Sequence, residues 1–271
     1  MSEPTAGELF ESGQLDEAIQ AALAVVKKAP TDTVARGLLA QLLCFAGDLE
    51  RADTHLNAIS TQKPEGILGV ALVRQLIRAE QARQQFYAEG RLPEFLEEPP
   101  EHVRLHLQAS ICIRDGALAE AAELLAQAEE KRPKVSGVCD GEAFDDLRDL
   151  DDLTACFLET LTTTGKYYWI PFERVSVLEF HKPERPLDLL WRRCHMIVEN
   201  GPDGEVFLPA LYAGSHSQTD NALRLGRATE WYGEENQPVR GLGQRMLLFG
   251  DSDRPILELS RIEVNQPHVP G

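Results

Sequence analysis

The first half of the chain repeats a pattern of small, apolar and turn-forming positions. Each copy begins at a glycine, has leucine two residues later and alanine five residues later, and reaches a proline 17 residues after the glycine. The copies lie at 13–30, 47–64 and 116–133, so the first two begin 34 residues apart and the third begins 69 further on. Glycine permits a turn between antiparallel helices, leucine and alanine pack between them, and proline ends the second helix. The pattern predicts a tetratricopeptide-like array of helix pairs.

A regular copy is missing between residues 64 and 101. Apolar residues at helical spacing from Ile67 to Ile77 predict one long helix over 67–88. Pro93, Pro99 and Pro100 forbid a regular second helix after it. This degenerate repeat is either sequence drift or an opening in which a guest helix docks.

The pattern of apolar positions changes at residue 140. Six positions fall on one helical stripe opposite acidic residues, which predicts an amphipathic helix that ends at Gly165. These positions are Phe144, Leu147, Leu150, Thr154, Phe157 and Leu161. Beyond it, aromatic and β-branched residues predict strands within 166–172, 175–180, 195–211, 227–232, 244–250 and 255–264. The third stretch is expected to be a hairpin that turns at 200–204, and the tail after 264 is expected to be frayed.

These patterns together indicate an α+β protein with two domains. An N-terminal all-α domain of tetratricopeptide-like helical repeats is expected over 1–139. A mainly antiparallel α+β domain is expected over 140–271, packed against the repeat array.

Composition and charge narrow the possible partners. The 271 residues are 43% hydrophobic, which suits a folded protein with a full core. A formal charge of −17 disfavours nucleic acid and anionic membranes as main partners, and leaves basic protein surfaces open. No apolar run approaches the roughly 20 residues of a membrane span, and no signal peptide is visible. Five widely spaced cysteines form no CxxC pair, so we expect a reduced, cytoplasmic protein.

Candidate catalytic and metal-binding motifs are weak. His102 and His106 have a spacing that can hold zinc, but no HExxH motif surrounds them, so a surface pair is expected. Ser, His and Asp occur together within 214–220 without a nucleophile elbow, which indicates a polar loop. No phosphate-binding loop is present. We therefore expect no catalytic residue, no metal ligand and no cofactor.

The segment 140–159 is strongly acidic, with eight carboxylates and one base, Arg148. Three interpretations remain open at this point. The acids form a solvated helix face, they hold a divalent metal, or they attract a basic partner or order the arginines of their own domain.

The partner-binding surface is expected near the long helix and the proline-rich segment 93–100, with the aromatic residues 167–169 as a second region. Aromatic residues carry much of the energy of protein interfaces. Packing in the core or between domains is the alternative for the aromatic residues. The predicted binding residues are Val70, Val73, Leu76, Ile77, Phe86, Phe95, Tyr167, Tyr168 and Trp169.

Several stretches of the second half resemble a known family. They are RDLDDLTACFLETLTTTGKYYWIPF at 148–172, RPLDLLWRRC at 185–194, VFLPALYAGS at 206–215, LRLGRATEW at 223–231 and GLGQRMLLFGD at 241–251. These stretches are similar to those of the ImpE/TagJ (SciE-type) family, accessory proteins of bacterial type VI secretion systems. Together with the helical repeats, the resemblance covers essentially the whole chain.

This resemblance implies a non-enzymatic adaptor that works in the cytoplasm on the contractile sheath. It implies binding of the small sheath subunit through a helix near that subunit's N-terminus, and assistance in sheath assembly or in recycling linked to the ClpV unfoldase. A helix-in-groove mode and a guest helix with basic flanks would suit an acidic scaffold. Two alternatives remain: a metal-dependent, hydrolase-like enzyme in the C-terminal domain, based on the acidic segment and His216, and a general chaperone-like scaffold.

Overall fold

The N-terminal half is a series of helices. The computed structural model describes residues 3–62 and 67–265, so Pro64 and the tail beyond residue 265 lie outside the described residues. The helices of this half are α1 (Ala6–Glu11), α2 (Leu15–Lys28), α3 (Thr33–Phe45), α4 (Leu49–Gln62), α5 (Ile67–Glu89), α6 (Glu101–Arg114) and α7 (Leu118–Lys131). No helix in these ranges is long and apolar enough to cross a membrane.

The predicted repeat is confirmed in three helix pairs, α1–α2, α3–α4 and α6–α7. Each pair turns at the glycine of the repeat, where φ is positive. These glycines are Gly13, Gly47 and Gly116, with φ of 86°, 73° and 77°. The alanine five residues later is fully buried in every copy, and these residues are Ala18, Ala52 and Ala121. Small side chains there let the paired helices approach closely.

The interruption of the repeat is also confirmed. A single helix, α5, replaces a helix pair, and no helix forms over 91–100. Instead this proline-rich segment runs beside the sheet, where Glu94 donates its backbone N–H to the carbonyl of Tyr167 at 2.8 Å and accepts from the N–H of Trp169 at 3.1 Å. The segment therefore covers part of a strand edge of the second half.

The second half contains thirteen strands among the described residues, and neighbouring strands are antiparallel throughout. They are β1 (Gly137–Cys139), β2 (Glu142–Phe144), β3 (Leu147–Asp149), β4 (Phe157–Thr162), β5 (Tyr167–Pro171), β6 (Val175–Phe180), β7 (Trp191–Val198), β8 (Asp203–Pro209), β9 (Thr229–Tyr232), β10 (Arg240–Gly243), β11 (Met246–Phe249), β12 (Ser252–Pro255) and β13 (Arg261–Val264). A short helix, α8 (Asn221–Arg224), precedes β9.

Eight of these strands form one sheet in the order β2-β1-β13-β6-β7-β8-β4-β5. The predicted hairpin is its β7–β8 pair, which runs from Trp191 opposite Pro209 to Ile197 opposite Asp203. A three-stranded sheet, β12-β11-β3, and a two-stranded ribbon, β10-β9, complete the second half. The expected mainly antiparallel architecture is confirmed.

The predicted helix over 140–165 is wrong, because the segment forms β2, β3 and β4 with turns between them. The aspartates explain the difference. Asp149 accepts a hydrogen bond from the backbone N–H of Asp151, and Asp151 accepts one from the N–H of Leu153, both at 2.9 Å. Such local bonds compete with the helical hydrogen-bond ladder. The glycine at 165 does turn the chain, but between two strands.

The two halves share a hydrophobic core. One buried cluster contains apolar residues of α1 to α7 together with residues of β4, β5, β7 and β8. A second cluster lies on the other face of the large sheet, under β11 and the segment before β13. The helical array ends at Lys131, and the first strand of the sheet, β1, covers Gly137–Cys139 and pairs with β13. The sheet therefore begins three residues before residue 140, where the second domain is predicted to begin.

Candidate partner-binding site

The structure divides the predicted binding residues into two groups. Five of them have at most 3% of their surface exposed and belong to the shared core: Leu76, Ile77, Phe86, Tyr167 and Trp169. These side chains join α5 to the sheet and have no surface to offer a partner. The remaining four are partly exposed: Val70, Val73, Phe95 and Tyr168. The docking prediction stays a prediction, and it depends on this second group.

Aromatic rings fill the contact between α5 and the strands β4 and β5, which we call the junction. Trp169 stacks on Phe157 with ring centroids 3.9 Å apart, and Phe86 meets the same indole edge-on at 4.8 Å. Trp169 is 0% exposed. For Tyr167 and Trp169, the core alternative is therefore confirmed.

A buried carboxylate, Glu159, anchors the polar part of the junction. Arg83 of α5 donates to it from Nε and Nη2 at 3.0 and 2.9 Å. Tyr167 and Tyr87 donate their hydroxyls at 2.6 and 3.0 Å, and Arg245 donates from Nη2. Burial alone raises the pKa of Glu159, but the two arginines and these hydrogen bonds outweigh it and lower the pKa to about 2. The carboxylate is therefore charged and ties α5 to the sheet.

Most other acids of the 140–159 segment also bind arginines of this chain. Asp149 accepts from Arg245 at 2.6 Å, and Asp151 accepts from Arg240 at 2.8 Å. Similar pairs join Asp146 to Arg132, Asp152 to Arg148 and Glu142 to Arg254. The interpretation that these acids order the arginines of their own domain is confirmed for Asp149, Asp151, Asp152 and Glu142, whereas Asp146 and Glu159 bind arginines of the helical half. The solvated helix face is wrong. In the described ranges no group of three or more His, Cys, Asp or Glu residues is placed to hold a metal ion.

The expectation that His102 and His106 form a surface pair is wrong, since they are 5% and 2% exposed. His106 Nδ1 lies 2.9 Å from the carbonyl of Leu153, which can only accept, so this nitrogen carries the proton. Burial lowers the pKa of His106 to about 3. His102 Nε2 lies 2.9 Å from Oε1 of Glu173, off the line of a good hydrogen bond. Both rings connect α6 to the second half.

The 214–220 segment is a short turn that helps to line a cleft. Ser215 is buried and its hydroxyl donates to the carbonyl of Tyr212 at 2.6 Å while accepting from the N–H of Gly243 at 2.8 Å. The hydroxyl is thus held in a structural role. His216 and Tyr212 line a cleft of about 380 Å³ between the halves, together with Glu80, Arg83 and other residues of α3 and α5. Since Arg83 is bound to Glu80 and Glu159, it has little capacity for a further anion.

Two adjoining cavities follow the edge strand β5, and we call them together the β5 groove. One, of about 240 Å³, lies between the proline-rich segment and β5 and includes Phe95. The other, of about 260 Å³, lies on the sheet face turned away from the helices and includes Tyr168, Met196 and Val198. Leu96 and Ile170 line both cavities. Phe95 lines the first cavity and Tyr168 the second, so these are the partly exposed predicted residues that lie along the β5 groove.

The lining of the β5 groove carries more acids than bases, and two of the acids pair with arginines just outside it, Glu205 with Arg193 at 2.6 Å and Glu98 with Arg104 at 3.5 Å. Its lining includes five carboxylates, Glu97, Glu98, Glu173, Asp203 and Glu205, and one base, Arg174. Arg174 is occupied by Glu97, at 2.6 and 3.0 Å. Sequence reasoning missed Leu96, which is 41% exposed, and the apolar floor from β7. An isolated leucine among acids and prolines was the signal for Leu96.

Comparison with known proteins extends over both halves of the chain. A family model described as ImpE protein matches residues 141–263, and one described as Tetratricopeptide repeat matches residues 9–76. The chain is 30% identical over 258 residues to the type VI secretion system accessory component TagJ of Pseudomonas aeruginosa, covering 95% of this chain and 90% of the relative. The crystal structure of a protein from Vibrio parahaemolyticus matches with a TM-score of 0.90 at 27% identity, covering 97% of this chain and 98% of that one. The chain therefore belongs to the ImpE/TagJ family of type VI secretion accessory proteins.

Proposed function

We propose that this protein is a non-enzymatic, cytoplasmic adaptor of type VI secretion that binds the small sheath subunit through its N-terminal helix. In this role it assists sheath assembly or recycling linked to ClpV. The observation that carries the proposal is the 30% identity with an accessory component of type VI secretion over 95% of the chain. An array of helical repeats supports an adaptor role, since such arrays commonly bind other proteins.

The β5 groove is the proposed docking site. Its apolar lining, with Leu96, Tyr168 and Ile170, suits the apolar face of an amphipathic helix. Its acidic rim suits basic residues at the flanks of that helix. The junction beside it is already filled, so a helix can use the groove without separating the two halves.

Calorimetric titration with the intact small sheath subunit, and with a subunit lacking its N-terminal helix, tests this proposal. We expect saturable binding of the intact subunit and loss of binding without the helix. Leu96→Glu places a charge in the apolar groove and is expected to weaken binding by about tenfold to a hundredfold, since a buried leucine contributes about 1.5 to 3 kcal/mol. Val34→Glu is the matched control, because Val34 lies on α3 and is 80% exposed.

The outcomes test the adaptor function and the position of the docking site separately. Unchanged affinity of Leu96→Glu, with normal binding by the parent protein, would refute the β5 groove and keep the adaptor. Weakening by Leu68→Glu instead would place the site on α5, where Leu68 is 85% exposed. No binding of the intact subunit contradicts the adaptor proposal, and equal binding of unrelated helical peptides favours a general chaperone-like scaffold.

A further inference from the structure

Three exposed large apolar side chains lie on β9 and on the residue just before β10. Trp231 is 42% exposed, Tyr232 is 49% exposed and Val239 is 43% exposed. The indole of Trp231 rests edge-on against the ring of Tyr212, with centroids 5.6 Å apart, so it is held in place and still reaches solvent. The other two tryptophans, Trp169 and Trp191, are buried. A fixed, exposed tryptophan is typical of protein interfaces.

Among the described residues, the outer edge of β10 forms hydrogen bonds with the rest of the protein, whereas the outer edge of β9 pairs with no strand. On β10, Gly241 donates its N–H to Asp151 at 3.0 Å, and the carbonyl of Gly243 accepts from Tyr212 at 2.9 Å, both away from β9. Gly241 lies opposite Trp231, so this pair does not exchange backbone hydrogen bonds, and the N–H and C=O of Trp231 point outward. Among the described strands, β9 pairs with β10 alone. Its outer edge can therefore accept another strand.

The surroundings of this edge are acidic. Residues 229–239 contain three carboxylates and no lysine or arginine. These carboxylates, Glu230, Glu234 and Glu235, are exposed and form no ion pair among the described residues. An open groove of about 530 Å³ between the turn of the ribbon and the turn of α6–α7 adds Glu120 and contains no basic residue. The free edge thus lies next to unpaired negative charge, in contrast to the arginine-bound acids of 140–159.

We propose that β9 is a second binding surface, which takes an extended, basic protein segment as an added strand. Backbone hydrogen bonds to Trp231 would align the segment. Arginine or lysine side chains of the segment would pair with the three glutamates and lie against the indole of Trp231. This surface is separate from the β5 groove, and its test does not depend on sheath binding.

Fluorescence titration with designed peptides tests the proposal on the full chain. The probe is a capped peptide of alternating arginine and valine, about eight residues long to match one strand. Since Trp231 is the exposed tryptophan, we expect a saturable change in its emission and reduced quenching by acrylamide. The same peptide with alternate amides N-methylated on the pairing edge is expected to bind about tenfold more weakly, because it loses two backbone hydrogen bonds. A glutamate–valine peptide is expected not to bind.

Charge reversal supplies the matched comparison. Reversing Glu230, Glu234 and Glu235 to lysine is expected to weaken binding of the arginine peptide about tenfold or more. The control reverses three exposed glutamates of the helical array, Glu17, Glu50 and Glu123, and produces the same change in net charge. Equal weakening by both triple variants, or equal binding of the N-methylated peptide, overturns the proposal. Absence of binding by the arginine peptide overturns it as well.

Discussion

Gly47 and Gly116 occupy the same position in two copies of the repeat. Replacing each with alanine separates the cost of a left-handed backbone from the cost of a steric clash. Both residues turn the chain with positive φ, 73° and 77°. An alanine at either position must hold a left-handed backbone, which costs about 1 to 2 kcal/mol. At Gly47 the new Cβ would also lie 2.3 Å from Cδ2 of His216, whereas at Gly116 it would meet nothing within 4 Å.

The additional cost at Gly47 comes from the packing of the two halves against each other. A separation of 2.3 Å requires the imidazole of His216 to move. Overpacking of this kind costs about 1 to 3 kcal/mol. We therefore expect Gly116→Ala to lower the free energy of unfolding by about 1 to 2 kcal/mol and Gly47→Ala by about 2 to 5 kcal/mol. For a chain of this size the difference corresponds to roughly 2 to 12 °C in Tm.

Urea unfolding at neutral pH, followed by tryptophan fluorescence and circular dichroism, measures these values. Burial, with Arg83 and Arg224 nearby, lowers the pKa of His216, so the ring is uncharged under these conditions. The decisive comparison is Gly47→Ala in a His216→Ala background, where the extra cost is expected to disappear. Equal costs for the two glycine variants, or an extra cost that survives removal of the imidazole, would refute the reasoning.

Three further predictions concern single groups. Folding lowers the pKa of Glu159 from 4.5 to about 2, so the charged carboxylate stabilises the fold by about 3 kcal/mol above about pH 4.5, and this stabilisation is lost as the pH falls toward 2. Glu159→Gln should lower the free energy of unfolding by about 3 to 5 kcal/mol at pH 7. It should also reduce the loss of stability at acidic pH that urea titrations measure. Asp32 caps α3 through the N–H groups of residues 34 and 35, so Asp32→Ala should cost about 1 kcal/mol in the same assay, and Asp32→Asn clearly less. Cys112 is the one partly exposed thiol, so a thiol reagent should label one cysteine in the native protein and five after unfolding.

The sequence predicts the helical half well because each repeat position has a local physical reason. The turn glycines, buried alanines and terminating prolines act within one helix pair, and the observed pairs follow them. The helix predicted over 140–165 does not form, because the apolar spacing of this segment suits a helix while its aspartates favour turns between short strands. A run of aspartates spaced by leucines was the available signal.

The buried charges could not be predicted from sequence. Arg83 and Glu159 are separated by 76 residues and meet only when α5 packs on β4. Nothing in the local pattern distinguishes Arg83 from the exposed Arg78 on the same helix. The same dependence on tertiary contacts made buried aromatic residues such as Trp169 resemble binding residues.

The filled junction limits how a partner can bind. To reach Trp169 or Phe86, a guest helix would have to separate α5 from the sheet, and exposing a large buried apolar side chain costs about 1.5 to 3 kcal/mol. It would also break the bonds from Arg83 to Glu159. A helix in the β5 groove meets neither cost, because Leu96 and Tyr168 already reach solvent. Binding in the groove should therefore leave the near-ultraviolet circular dichroism of the buried aromatic residues unchanged, whereas insertion into the junction should reduce it.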